Sequence, residues 1–156
     1  MSQIKLKVVT PERVVVELGV YQATLPVLGG EVTLLPNHVP YIGAIQAGEI
    51  ILRTEVGGEE TSLATSGGFV EFHDNTLSIL ADTAERADEI DLERAEEARK
   101  RAEALKKERI NMDDEEYART AAALEKEWAR VKVARRHQSR RGLSIGNPGE
   151  RPTLGQ

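Results

Sequence analysis

Residues 4–8, Ile-Lys-Leu-Lys-Val, place Ile4, Leu6 and Val8 on one side of an extended chain and Lys5 and Lys7 on the other. That two-residue period belongs to a strand with one buried face. Thr10-Pro11 ends it, and short apolar runs then return at Val14–Leu18, Val20–Leu25, Val32–Leu35, Ile50–Leu52, Leu63–Ala64, Phe69–Phe72 and Leu77–Leu80. Between them stand Gly29-Gly30, Pro36-Asn37, Gly48, Gly57-Gly58, Gly67-Gly68 and Asp74-Asn75. Short β-rich segments with turn signals at this spacing predict an antiparallel sandwich or barrel, for which about 80 residues suffice.

After Asp82 the period changes. Leu92, Ala95, Ala98, Ala102 and Leu105 recur every three or four residues among charged positions, the stripe of an amphipathic helix. Asp88 or Asp91 is placed to cap its start. The pattern breaks around Lys107–Met112, and Asp113-Asp114-Glu115-Glu116 supplies a second cap with a Glu at N3. Tyr117, Ala121, Leu124, Trp128 and Val131 then follow with the 4-3-4-3 spacing of a coiled-coil seam. The predicted fold class is β then α: an antiparallel sandwich over 1–84, an antiparallel two-helix hairpin over 85–138, and a flexible Gly/Pro-rich tail over 139–156. A seam this rich in alanine buries little area, so the hairpin is expected to be held weakly and to open.

Charge sharpens this division. The 156 residues sum to −5, but residues 1–82 carry −6, residues 83–129 carry −5 and residues 130–156 carry +6. An acidic chain argues against general nucleic-acid binding, whereas the late basic block suits an acidic partner. Without aromatics among those cations, a nucleic acid would gain only salt-sensitive phosphate contacts. No run approaches the roughly 18 apolar residues of a membrane span, and the N-terminus shows no signal-peptide core or transit pattern.

Catalytic patterns are scarce. With no cysteine there is no disulfide, thiol nucleophile or cysteine–metal site. His38, His73 and His137 lack metal-ligand spacing, so no metal is expected. Neither Gly29-Gly30 nor Gly67-Gly68 precedes Lys-Ser/Thr, so both read as turn glycines rather than phosphate cradles. Ser66 lacks the glycine and the strand-to-helix context of a nucleophile elbow. The chain is therefore expected not to be an enzyme.

Leu25-Pro26, Gly29-Gly30-Glu31, Leu35-Pro36-Asn37-His38-Val39-Pro40, Gly48-Glu49-Ile50, Ser66-Gly67-Gly68-Phe69-Val70-Glu71, Leu80-Ala81-Asp82-Thr83-Ala84-Glu85 and Ile90-Asp91-Leu92-Glu93-Arg94-Ala95 occur in this order. Together they resemble the epsilon subunits of bacterial F-type ATP synthases, over residues 1 to 136. Thr33 departs from the usual Gly, and the chain after residue 138 is longer than the family's usual end.

The resemblance implies a ten-stranded sandwich, a two-helix domain, and a non-catalytic place in the central stalk that couples rotation to ion flow. The gamma subunit, the polar loops of the c-ring, and the beta and alpha subunits are the implied partners, with Glu31 and His38 in the gamma/c-ring contact. The implied location is peripheral, on the cytoplasmic face of a bacterial plasma membrane. Restraint of ATP hydrolysis is implied for the extended helices, and Arg130, Lys132, Arg135 and Arg136 form a cationic end suited to an acidic segment of beta. Some members bind ATP as a regulatory ligand at Ile/Leu-Asp-x-x-Arg-Ala. By position that site would use Glu85, Asp91, Arg94, Arg101, Lys126 and Arg130, with Lys126 replacing an Arg and losing its planar fork. Two other readings pair a β domain with a helical hairpin: an RNA-polymerase-channel factor, in which the hairpin comes first, and a stand-alone nucleotide-sensing module.

Overall fold

A computed structural model describes residues 2–108 and 111–144. Eight strands precede the helices: β1 (Ile4–Val9), β2 (Val14–Val20), β3 (Gln22–Val27), β4 (Gly30–Leu34), β5 (Tyr41–Arg53), β6 (Glu60–His73), β7 (Thr76–Ala81) and β8 (Ala84–Arg86). A 3-10 turn at Ala87–Glu89 leads to α1 (Leu92–Lys107) and α2 (Asp114–Ser144). The strands form one continuous path, β2-β1-β7-β6-β5-β3-β4, with β8 added to β6. Neighbours are antiparallel except β1 and β7, which run parallel.

The fold is a sandwich because β5 and β6 each serve both layers. Ile45 faces the core in the first half of β5, but Ile50 and Leu52 do so in the second. Leu63 faces it early in β6, then Val70 and Phe72. A strand keeps one parity on one face, so each has flipped. The ladder pairs Gln46 with Gly67 and Gly48 with Thr65 and omits Ala47 and Ser66 between them. Among the described residues the expected ten strands are therefore eight, two of them long and broken at that point. Gly67 and Gly68 are not turn glycines. They lie inside β6 with φ of 127° and 144°, and a Cβ on Gly68 would stand 2.1 Å from the Leu80 carbonyl oxygen. Only glycine allows that approach.

The main core draws on the sandwich alone: Ile4, Leu6, Leu25, Leu34, Ile50, Leu63, Phe72 and Leu77 are fully buried in it, and no helical residue contributes. The helices meet the sandwich through a much smaller apolar cluster, Ala64, Ala87, Val133 and Ile90. Asp91 caps α1, its carboxylate accepting from the Arg94 amide at 3.2 Å, and Asp113 accepts from the Glu116 amide at 2.7 Å ahead of α2. Ala95, Ala102, Leu124 and Val131 are buried along the helices.

Leu92, Ala98, Tyr117 and Ala121 are half-buried, and two seam residues are exposed. Leu105 is 51% exposed, and Trp128 is 46% exposed with the Arg99 guanidinium 4.5 Å over its ring. A seam narrow enough for alanine has no room for an indole. The helix α2 also runs to Ser144, so residues 139–144 of the expected tail are helical; the rest of that tail lies outside the described residues. No helix among the described residues is long and apolar enough to cross a membrane.

Candidate functional sites at the helix–sandwich junction

The outer face of the second half of β5 and the first half of β6 is covered by α2, and it carries two acids. Glu49 is 7% exposed. Its Oε2 accepts from Arg136 Nη1 at 2.6 Å, while Oε1 is buried without a hydrogen-bond partner. Glu60 stands opposite Arg53 across the β5–β6 ladder and accepts from it. The same carboxylate receives Arg140 from α2, with Arg136 Nη2 at 3.7 Å. Burial alone would raise the pKa of Glu60, but hydrogen bonds and charge from Arg53 and Arg140 outweigh it and hold the group below 4.5. Arg140 thus docks onto a pair already assembled within the sandwich.

Further along α2, Arg130 Nε donates to Glu85 Oε2 at 2.7 Å and Nη1 to Glu127 at 2.8 Å. Burial works against its charge, yet the two carboxylates prevail and raise its pKa. Arg135 reaches across to Glu96 of α1, and its hydrogen bond is the main reason the Glu96 carboxyl lies below its ordinary value. Lys132 makes no ion pair among the described residues. The expected cationic end is therefore not a free patch. Arg130, Arg135, Arg136 and Arg140 spread around the helix and pair within the chain, so the hairpin is held by charge as well as by alanines.

The residues expected to bind ATP converge in part. Asp91, Arg94, Arg101 and Arg130, with Glu89 and Glu97, line a cleft of about 370 Å³. Glu85 joins it through Arg130, whereas Lys126 is not among the lining residues. Three guanidiniums on α1 and α2 can fork to an anion there. Glu31 is exposed beside the β3–β4 turn, paired in register with Pro26. His38 lies in the loop between β4 and β5, its Nδ1 2.7 Å from the Val39 carbonyl and its ring edge-on to Phe72.

Sequence reasoning missed Glu49 and Glu60. One signal was present: Ile50-Ile51-Leu52 is apolar on both faces, which marks a strand covered on its outer side. Which acids meet the cover depends on the parity flip, and that is a tertiary feature.

Residues 3–87 match the family described as ATP synthase, Delta/Epsilon chain, beta-sandwich domain, and residues 88–135 match its long alpha-helix domain. The ATP synthase epsilon chain of Dehalococcoides mccartyi is 43% identical over 138 residues, covering 88% of this chain and 96% of that one. The epsilon chain of Moorella thermoacetica is 42% identical, covering 86% and 98%. Among solved structures, a chain of the Euglena gracilis mitochondrial ATP synthase OSCP/F1/c-ring assembly shares the fold at a TM-score of 0.70 and 24% identity, over 85% of this chain and 81% of its own. A sandwich with its own closed core, a helix pair laid over it and matches spanning both parts lead to one assignment: this chain belongs to the ATP synthase delta/epsilon chain family, alongside its epsilon chains.

Proposed function

We propose that this chain is a non-catalytic subunit of the central stalk of an F-type ATP synthase, at the cytoplasmic face of a bacterial plasma membrane, and that its helices restrain ATP hydrolysis. The observation that carries this reading is the two-part construction. The sandwich closes its core without the helices, and the helices attach through a small apolar cluster and a rim of arginines. In this reading the first part is the anchor and the second moves.

The anchor has a face for its partner. Phe69 and Leu80 are directly opposed on β6 and β7, 67% and 56% exposed, with Ala44 beside Phe69, Val9 beside Leu80 and Ile42 at 78% exposure nearby. Contiguous exposed apolar surface of this kind marks a protein contact. We assign it to gamma, and Glu31 and His38 to the end of the sandwich that meets the polar loops of the c-ring.

The moving part works by exchange of ion pairs. Docked, Arg130, Arg135 and Arg136 face Glu85, Glu96 and Glu49. Extended, the same cations and Lys132 meet an acidic segment of beta. Because one set of charges serves both states, a small differential decides between them. ATP in the cleft of Asp91, Arg94, Arg101 and Arg130 would favour docking by joining α1 to α2. The test is ATPase activity of the assembled complex carrying Glu49→Gln and Glu60→Gln, which weakens docking yet leaves every cation available to beta. Hydrolysis should fall, and truncation after Asp88 should raise it. Unchanged activity in both, with the subunit still bound, would overturn the restraint.

A further inference from the structure

A second and larger cleft, about 790 Å³, opens where the β5–β6 ladder breaks against α2. Gln46 and Ser66 line it from the sandwich; Trp128, Val131, Lys132 and Arg135 line it from α2, and it shares no lining residue with the smaller cleft. Its size falls within the range of small-molecule sites.

Three side chains in it keep capacity that the chain does not use: Trp128, Lys132 and Arg135. Trp128, the one tryptophan, is half exposed; Arg99 covers its ring from α1, and the indole also lines the cleft. Beside it Val131 and Ala129 are buried and apolar. Lys132 has no carboxylate partner, although Arg130, Arg135, Arg136 and Arg140 around it all do. Arg135 uses Nε and Nη2 on Glu96, which leaves Nη1. Lys132 and the remaining Arg135 N–H thus face the cleft beside the half-exposed indole, with Glu125 the acid among the lining residues and Glu96 already holding the other side of Arg135.

We infer that this cleft is a binding site for a small planar aromatic acid, with the ring against the half-exposed Trp128 and the carboxylate on Lys132 and Arg135. An isolated anion would leave the exposed side of the Trp128 indole wet, and an uncharged ring would leave Lys132 unpaired; an aryl carboxylate satisfies both. The site needs Gln46 and Ser66 as well as α2, so it exists only while the helix lies on the sandwich. A ligand there stabilises the docked state by mass action. Binding does not depend on the rotor reading, whereas its consequence for hydrolysis does.

The test uses the ¹⁵N-labelled full chain and the indole N–H resonance of Trp128, which is single by composition. Titration with 2-naphthoate should shift it saturably. Lys132→Gln, an exposed substitution, should weaken binding about tenfold, the worth of a charge-assisted hydrogen bond. Arg94→Gln, in the other cleft, should leave it unchanged. No saturable shift, equal binding of the uncharged 2-naphthalenemethanol, or loss with Arg94→Gln but not with Lys132→Gln would each overturn the assignment.

Discussion

Glu60→Gln isolates the electrostatic part of helix docking. Glu60 has three cationic neighbours, but Arg53 belongs to the same ladder and stays beside it whether or not the helices are docked. That pair cancels in the docking equilibrium. What the substitution removes is the Arg140 pair and the weaker field of Arg136 at 3.7 Å. The Arg140 side chain is 35% exposed and that of Glu60 18% exposed, so the pair belongs near the top of the range for partly screened bridges, about 1 kcal/mol. That is about a fivefold change in the ratio of docked to undocked helices. Adding Glu49→Gln removes the negative charge that Arg136 meets at 2.6 Å, while the amide oxygen can still accept from the guanidinium. The double variant should therefore lose about 2 kcal/mol and roughly thirtyfold in docking, not more. Deuterium exchange of α2 amides, referred to strand amides of the same chain, measures this. If α2 keeps its protection in the double variant, or if β1 and β7 lose theirs equally, the rim does not hold the helices.

Three further outcomes follow from the same geometry. The folded-state pKa values of Glu60 and Glu96 lie below the ordinary 4.5; their stabilisation is therefore fully present above 4.5 and is lost as pH falls through the lower folded values. Trp128 fluorescence should accordingly report steady docking from neutral pH down to 4.5 and release only as pH falls further, through the lowered folded-state values. Phe69→Glu, at an exposed position, should leave the melting temperature of the chain within a few degrees, as surface substitutions do, and abolish co-purification with gamma; retained binding would move the gamma contact elsewhere. Arg130→Gln should eliminate any heat of ATP binding seen by calorimetry at millimolar nucleotide while Lys126→Gln leaves it intact, because only the first lines the cleft.

Much of the architecture was legible because its signals are local. The period of two in Ile4–Val8, the change of period near residue 83 and the caps at Asp91 and Asp113 each depend on a few neighbouring residues. The first half of β5, Tyr41–Gln46, was not. Its outward positions Ile42 and Ala44 are apolar and exposed, so no alternation of polarity announces a strand. Short β8 escaped for want of length. At the site, Asp91, Arg94, Arg101 and Arg130 were placed by resemblance and do converge, but the pairing of Arg136 with Glu49 spans 87 positions and required the break in β5 and β6.

That break also explains why the helices sit where they do. Flipping the parity of β5 turns Glu49, Ile51 and Arg53 outward together, and flipping β6 does the same for Glu60, Ser62 and Ala64. The outer sheet face is thereby split into an uncovered apolar half, with Phe69 and Leu80, and a charged half with Ala64 at its centre. A helix rich in arginine and small residues fits only the second, since burying guanidiniums over Phe69 would strip them of water with no carboxylate in return. The two halves thus direct different partners to one continuous sheet: a permanent apolar contact on one side and a reversible ionic one on the other. Alanines keep α2 close enough for arginines to reach the sheet, and the partial exposure of Arg136 and Arg140 keeps each pair near the ~1 kcal/mol scale. Larger residues where α2 meets the sheet would strengthen the packing and lift the arginines away, so the weak apolar contact and the charged rim are one arrangement.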